Sequence, residues 1–158
     1  MAYEGIAPIG FEGKSNVTAT LGANSPELGT KKIFSGEEYL YVYNAGNSQI
    51  SKGYGAVLSA TTGYSVTVSA IAVNDLLMGF CKHSTLTTGT YGWLLTRGFT
   101  DVKNGMASTA LAAGDLLSPA VDGAVQLPTG ATTAPINGKV LQATGSAGTG
   151  YAYIRCFG

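Results

Sequence analysis

Charge is scarce in this sequence. Only 11% of its 158 residues are charged, against about a quarter in an ordinary soluble domain, and nine basic side chains balance nine acidic ones. Proteins that grip nucleic acid through its phosphates need a surplus of Lys and Arg to displace counterions, so no nucleic-acid partner is expected. Long apolar runs are missing as well. The longest, Leu76-Leu77-Met78-Gly79-Phe80-Cys81, falls far short of the roughly 20 residues that cross a bilayer, and no basic-then-apolar leader follows Met1. The expectation is a soluble chain made in a cytoplasm, with no membrane partner.

Reactive side chains are equally few. The two cysteines, Cys81 and Cys156, lie far apart without CxxC spacing, which points to no metal or redox motif and leaves their pairing open. With one histidine in the chain, any Ser-His-Asp or Cys-His arrangement would have to use His83, and spacing singles out no Asp beside it. Adjacent acids occur only at Glu37-Glu38, which point to opposite faces of an extended strand and suit shared acid–base work poorly. Gly13-Lys14-Ser15 looks like the end of a phosphate-binding loop, but the position that needs glycine five residues earlier is Pro8. The glycine-rich residues 145–150 lead into a strand, not into a helix whose N-terminus could hold a pyrophosphate. The chain is therefore read as not an enzyme, with no catalytic residue, cofactor or metal site expected.

What the sequence does hold is turn and strand chemistry. Glycine supplies 23 residues, about twice the usual share, amid much Thr, Ser, Val and Tyr. All five Glu fall within residues 1–38, where three Lys oppose them, while six basic residues meet four Asp in residues 39–158. Gly5, Pro8, Gly10, Gly13, Gly22, Pro26, Gly29 and Gly36 punctuate the first segment too densely for a long helix, leaving room for one short strand at residues 17–21. Residues 1–38 are read as an extended N-terminal arm, and residues 39–158 as a β-rich body. The body opens on Glu38-Tyr39-Leu40-Tyr41-Val42-Tyr43, whose alternation predicts a strand, closed by the turn Asn44-Ala45-Gly46-Asn47. Tyr39, Tyr41 and Tyr43 share one face of it. Such a face suits core packing, a subunit interface or, more remotely, a platform for sugar rings with Trp93.

An internal repeat carries more information than any motif. Gly55-Ala56-Val57-Leu58-Ser59 aligns with Gly114-Asp115-Leu116-Leu117-Ser118 at an offset of 59, as do Val66 with Val125, Gly79 with Gly138 and Gly89 with Gly148. Tyr91-Gly92-Trp93-Leu94 then falls on Tyr151-Ala152-Tyr153-Ile154 after one extra residue, which makes Trp93 the mate of Tyr153. Two related halves, about 53–98 and 112–158, with short strands and frequent turns predict an all-β fold: a small barrel or sandwich with an internal duplication. Short helices are expected at most near residues 69–77 and 107–112.

The run Ala110 to Pro119, with its Ala-Gly-Asp entry to a strand, the Asp122-Gly123 turn, the Gly138-Lys139-Val140-Leu141-Gln142-Ala143 strand and the closing Tyr151-Ala152-Tyr153-Ile154-Arg155 strand resemble the capsid cement, or head decoration, proteins of tailed bacteriophages. The resemblance covers residues 105–158 with an echo in 53–98. It implies a structural virion protein on the outer capsid surface, assembled in the host cytoplasm, bound to the major capsid protein, commonly as a homotrimer, with no catalytic residues to carry over. A tail or fibre-associated subunit and a carbohydrate-binding β-module are the alternatives. On this reading the arm's apolar cluster Ile6, Pro8, Ile9 and Phe11 is the expected capsid contact, and Tyr39, Tyr41 and Tyr43 the expected subunit interface.

Overall fold

A computed structural model of the chain describes residues 26–59, 63–68, 77–83, 85–128 and 138–156. They form ten strands: β1 Lys31–Phe34, β2 Glu37–Asn44, β3 Gly55–Leu58, β4 Ser65–Thr67, β5 Leu77–Phe80, β6 Tyr91–Lys103, β7 Leu116–Pro119, β8 Val125–Gln126, β9 Gly138–Gln142 and β10 Thr149–Arg155. The fold is all-β. Among the described residues the one helical element is a three-residue 3-10 turn, Val121–Gly123, at the expected Asp-Gly turn. The helix expected near residues 107–112 is absent. Leu111 instead bridges Thr144, and the Thr109 carbonyl accepts a bond from the Asn104 carboxamide, so this stretch spends its polar groups on tertiary contacts. The second expected helix, near residues 69–77, and the expected strand at 17–21 lie outside the described residues, apart from Leu77, which opens β5.

Strand pairing closes a five-stranded barrel in the order β2–β4–β3–β5–β6 and back to β2. Alternation along β2 and β6 turns Leu40, Val42 and Leu94 inward onto Ile50, Ala56, Val66 and Leu86, all buried. Complete burial of each such aliphatic side chain contributes about 1.5–3 kcal/mol. β1 pairs antiparallel with the start of β2 through a turn at Ser35-Gly36, so the last part of the expected arm, residues 31–34, is an edge strand of this body.

The second half repeats the same pairing. The order β4–β3–β5–β6 recurs as β8–β7–β9–β10, and the partners coincide. Val57↔Thr67 corresponds to Ser118↔Gln126, Gly55↔Phe80 to Leu116↔Lys139, and Val42↔Gly92 to Val102↔Gly150. Even the parallel join between Asn44 and Val66 has a counterpart, the bridge between Asn104 and Val125. The 13-residue β6 therefore serves twice. Its first half pairs with β2 and its second half with β10, and the change of partner falls at Arg97, which is opposite both Glu38 and Arg155. Gly98 follows with φ 142°, a conformation that favours glycine. A second core, with Val102, Leu111, Leu117, Val125, Val140, Ala152 and Ile154, fills this repeat and joins the first through Val57, Leu77 and Phe80.

The pairings refine the alignment. Gly53, not Gly55, is the structural mate of Gly114: both have φ > 0, at 82° and 99°, and both donate across the barrel, to the Cys81 and Val140 carbonyls. Trp93, opposite Tyr41, matches Tyr151, opposite Asp101, so its mate is not Tyr153. The expected matches of Val66 with Val125 and Gly79 with Gly138 stand as read, since Leu58↔Val66 becomes Pro119↔Val125 and Ala56↔Gly79 becomes Leu117↔Gly138.

Candidate interaction surfaces

The tyrosine face of β2 lies inside the chain. Tyr39 and Tyr41 are 1% and 0% exposed, and they pack with Trp93 and Leu95 beneath Leu28 and Phe34. The Tyr41 ring lies 5.0 Å from Trp93, while half-buried Tyr43 meets Tyr91 at 4.8 Å. This corrects two expectations at once. Tyr39 and Tyr41 have no surface left for a subunit interface, and with Trp93 also buried the sugar-stacking platform is not formed. The physical reason is β1 and the residues before it, which cover the outside of β2 and turn a surface face into a third apolar cluster.

One polar cluster sits where the two barrels meet. Glu37 accepts from Lys82 Nζ at 2.5 and 2.6 Å, from the Tyr39 hydroxyl at 2.6 Å and from the Phe99 backbone N–H at 3.1 Å. Burial pushes the Glu37 carboxyl up, but those donors outweigh it and hold the group below its ordinary value. Burial, and then Glu37 itself, push the Tyr39 phenol far above the usual range, so it stays a donor. His83 is exposed, with its Nε2 3.1 Å from the Tyr39 oxygen. The cluster fixes the junction: Glu37 links β2 to β6 and to the end of β5. At the next residue of β2, Glu38 meets the Arg97 guanidinium at 3.1 Å, which also reaches the Tyr153 hydroxyl at 3.1 Å.

Cys81 and Cys156 are buried free thiols. They lie in different cores, which separates the two residues whose pairing the sequence left open. Desolvation pushes the Cys81 thiol up to about 12 and the Cys156 thiol up as well, so neither is a nucleophile near neutrality. Among the described residues no group of three or more His, Cys, Asp or Glu could hold a metal ion, and no helix is long and apolar enough to cross a membrane.

An exposed aromatic face appears on the second barrel. Phe99 and Tyr151 are 43% and 39% exposed, with rings stacked at 6.2 Å, and Tyr153 lies edge-on to Phe99 at 5.2 Å. Lys139 stands between Tyr153 and exposed Leu116 in the ladder, and Asp101 lies opposite Tyr151, so charges border the aromatic group on both sides. Period-two alternation in Tyr151-Ala152-Tyr153 carries this face in the sequence. What alternation does not carry is the pairing of Phe99 with Tyr153, which brings the rings together. The expected capsid-contact residues Ile6, Pro8, Ile9 and Phe11 lie outside the described residues.

No protein-family model matches the sequence, and no curated protein matches it. A solved structure does match in fold: the head fiber gp8.5 N base of bacteriophage phi29, with a TM-score of 0.52 at 14% identity, covering 73% of this chain and 93% of that one. At that identity the likeness is one of fold alone.

Proposed function

We propose that the chain is a structural protein of a tailed-bacteriophage particle, a head decoration or cement subunit that binds the outer surface of the shell. The observation that carries this reading is the fold shared with nearly the whole of a head fibre base. The sequence resemblance to head decoration proteins in residues 105–158 supports it independently. The proposed activity is physical and involves no catalysis. With a net charge of zero, long-range attraction contributes little, so attachment to the major capsid protein rests on buried apolar and main-chain contacts. A single small contact of that kind is weak. A trimer holding three of them gains by effective concentration, which is why we assign the particle-bound form three copies.

A second reading, the base of a head fibre, is favoured by the same structural neighbour, itself a head fiber N base. Mixing the purified chain with phage heads that lack it, then sedimenting the heads, tests the main proposal. The chain should travel with heads and not with isolated tails. Recovery with tails alone, or with neither, would contradict it.

A further inference from the structure

Residues 27–34, which cover the tyrosine face of the first barrel, are held at two ends and nowhere deeply. None of the eight is itself buried, and Leu28 and Phe34 are the side chains that pack onto Tyr39, Tyr41, Trp93 and Leu95. At one end the Ser35-Gly36 turn, with φ 49° and 79°, ties the segment to β2. At the other, Gly29 donates to the Tyr41 carbonyl and Tyr41 donates to the Thr30 carbonyl, both at 2.9 Å. A segment with so little buried surface opens locally at less cost than the barrel beneath it.

Over the Gly29 end sits a strained residue. Tyr64 has φ 55°, a left-handed conformation that a bulky side chain rarely adopts. Its ring lies against Gly29 so closely that a Cβ added there would stand 2.2, 2.5 and 2.6 Å from three ring atoms. The duplication supplies the comparison. Since Val66 matches Val125, Tyr64 matches Gly123, which has φ 76°. Glycine takes that conformation without strain, whereas tyrosine at residue 64 carries a backbone penalty. The difference follows the covering segment. β2 is preceded by β1, but its counterpart, the second half of β6, continues directly from the first half, which leaves no chain to form a second cover there.

We propose that residues 27–34 are a lid that opens about the Ser35-Gly36 turn independently of both barrels, and that the Tyr64 ring is the latch that holds its Gly29 end shut. Opening bares the outer face made by Tyr39, Tyr41, Trp93 and Leu95, and closing shields it. The penalty at Tyr64 is offset by the contact of its ring with Gly29, a contact that exists in the closed lid alone. The lid does not depend on the head assignment, and a chain that binds no phage head would still have it.

Amide hydrogen exchange of the full chain, read residue by residue by NMR, tests this. In the natural protein the Gly29 and Tyr41 amides should exchange faster than those of Ile50 and Val140, which are bonded within the two barrels. Tyr64→Gly should speed Gly29 and Tyr41 roughly tenfold, the scale of one lost ring contact, and leave Ile50 and Val140 unchanged. The Tyr43 amide donates to the main-chain carbonyl of residue 64 and should keep its protection, which separates an opened lid from an unravelled turn. Tyr64→Phe keeps the ring and should exchange like the natural chain. Gly29 and Tyr41 amides no faster than Ile50 in the natural chain, or unmoved by Tyr64→Gly, would overturn the proposal. Equal acceleration at Ile50 or Tyr43, or a Tyr64→Phe variant as fast as Tyr64→Gly, would overturn it too.

Discussion

Asn44 and Asn104 do the same work at the same place in the two barrels. Each buried carboxamide accepts the N–H two residues on, from Gly46 or Met106, through its Oδ1. Each Nδ2 donates forward to a nearby carbonyl, of Ser48 or Thr109, and across the barrel to Leu86 or Gly145. A strand that must stop and turn inside a closed ring leaves main-chain groups without ladder partners, and an Asn at the strand's end, or directly after it, satisfies them from its own side chain. Asn44→Ala and Asn104→Ala should each cost about 1–3 kcal/mol or more, because several buried groups lose their partner together. Urea unfolding curves measure this, and a loss within the range of an exposed substitution at either site would count against the equivalence.

Glycines at matched positions should not be equally tolerant. A methyl group at Gly92 meets the flexible tip of Leu86 at 2.7 Å, whereas at Gly150 it runs into Thr144 and also stands 3.0 Å from the Gln142 carbonyl. The tip of Leu86 can yield, whereas Thr144 is β-branched, buried and held by hydrogen bonds to Asn104 and Gly145. Gly150→Ala should therefore lose about 1–3 kcal/mol and Gly92→Ala less, as compared by thermal unfolding.

Acid stability should depend on Glu37. Its folded pKa lies below the ordinary 4.5, so the unfolded chain takes up the proton first as pH falls. The contribution is complete above about pH 4.5 and is lost as pH drops through the lowered folded value. Glu37→Gln should flatten that part of the stability profile. An unchanged acid slope in the variant would show that Lys82, Tyr39 and Phe99 do not hold the carboxylate in place.

At the alkaline end the sign reverses. The Cys81 thiol rises from 9.0 to about 12 on folding, so its stabilisation is present below pH 9 and disappears as pH climbs towards 12, while Cys156 and Tyr39, which also rise, lose theirs at still higher pH. Cys81→Ala should lessen the slope in that window. Neither thiol should react with a disulfide reagent until the chain unfolds, and fast labelling of the folded protein would contradict their burial.

Much of this architecture was legible in the sequence, and the failures have physical causes. Val66 with Val125 and Gly79 with Gly138 reveal the duplication because each pair occupies the same ladder position. Gly55 was a false mate for Gly114, since the Gly53-Tyr54-Gly55 stretch offers two glycines and pattern matching cannot tell which one needs φ > 0. The double use of β6 was not legible at all: nothing in Tyr91–Lys103 except Gly98 marks the point where the partner changes from β2 to β10. For the candidate surfaces, alternation picked out Tyr39 and Tyr41 correctly as one face. It could not say that Leu28 and Phe34 bury that face while Phe99 and Tyr151 stay open, because cover comes from segments distant in sequence.

The head assignment is tested most directly by a cryo-electron microscopy reconstruction of the phage particles that carry this protein, compared with particles that lack it. The account predicts extra density on the outer shell surface, fitted by paired five-stranded barrels and arranged as three copies about a symmetry axis. Density confined to the tail, or particles identical with and without the chain, would contradict it.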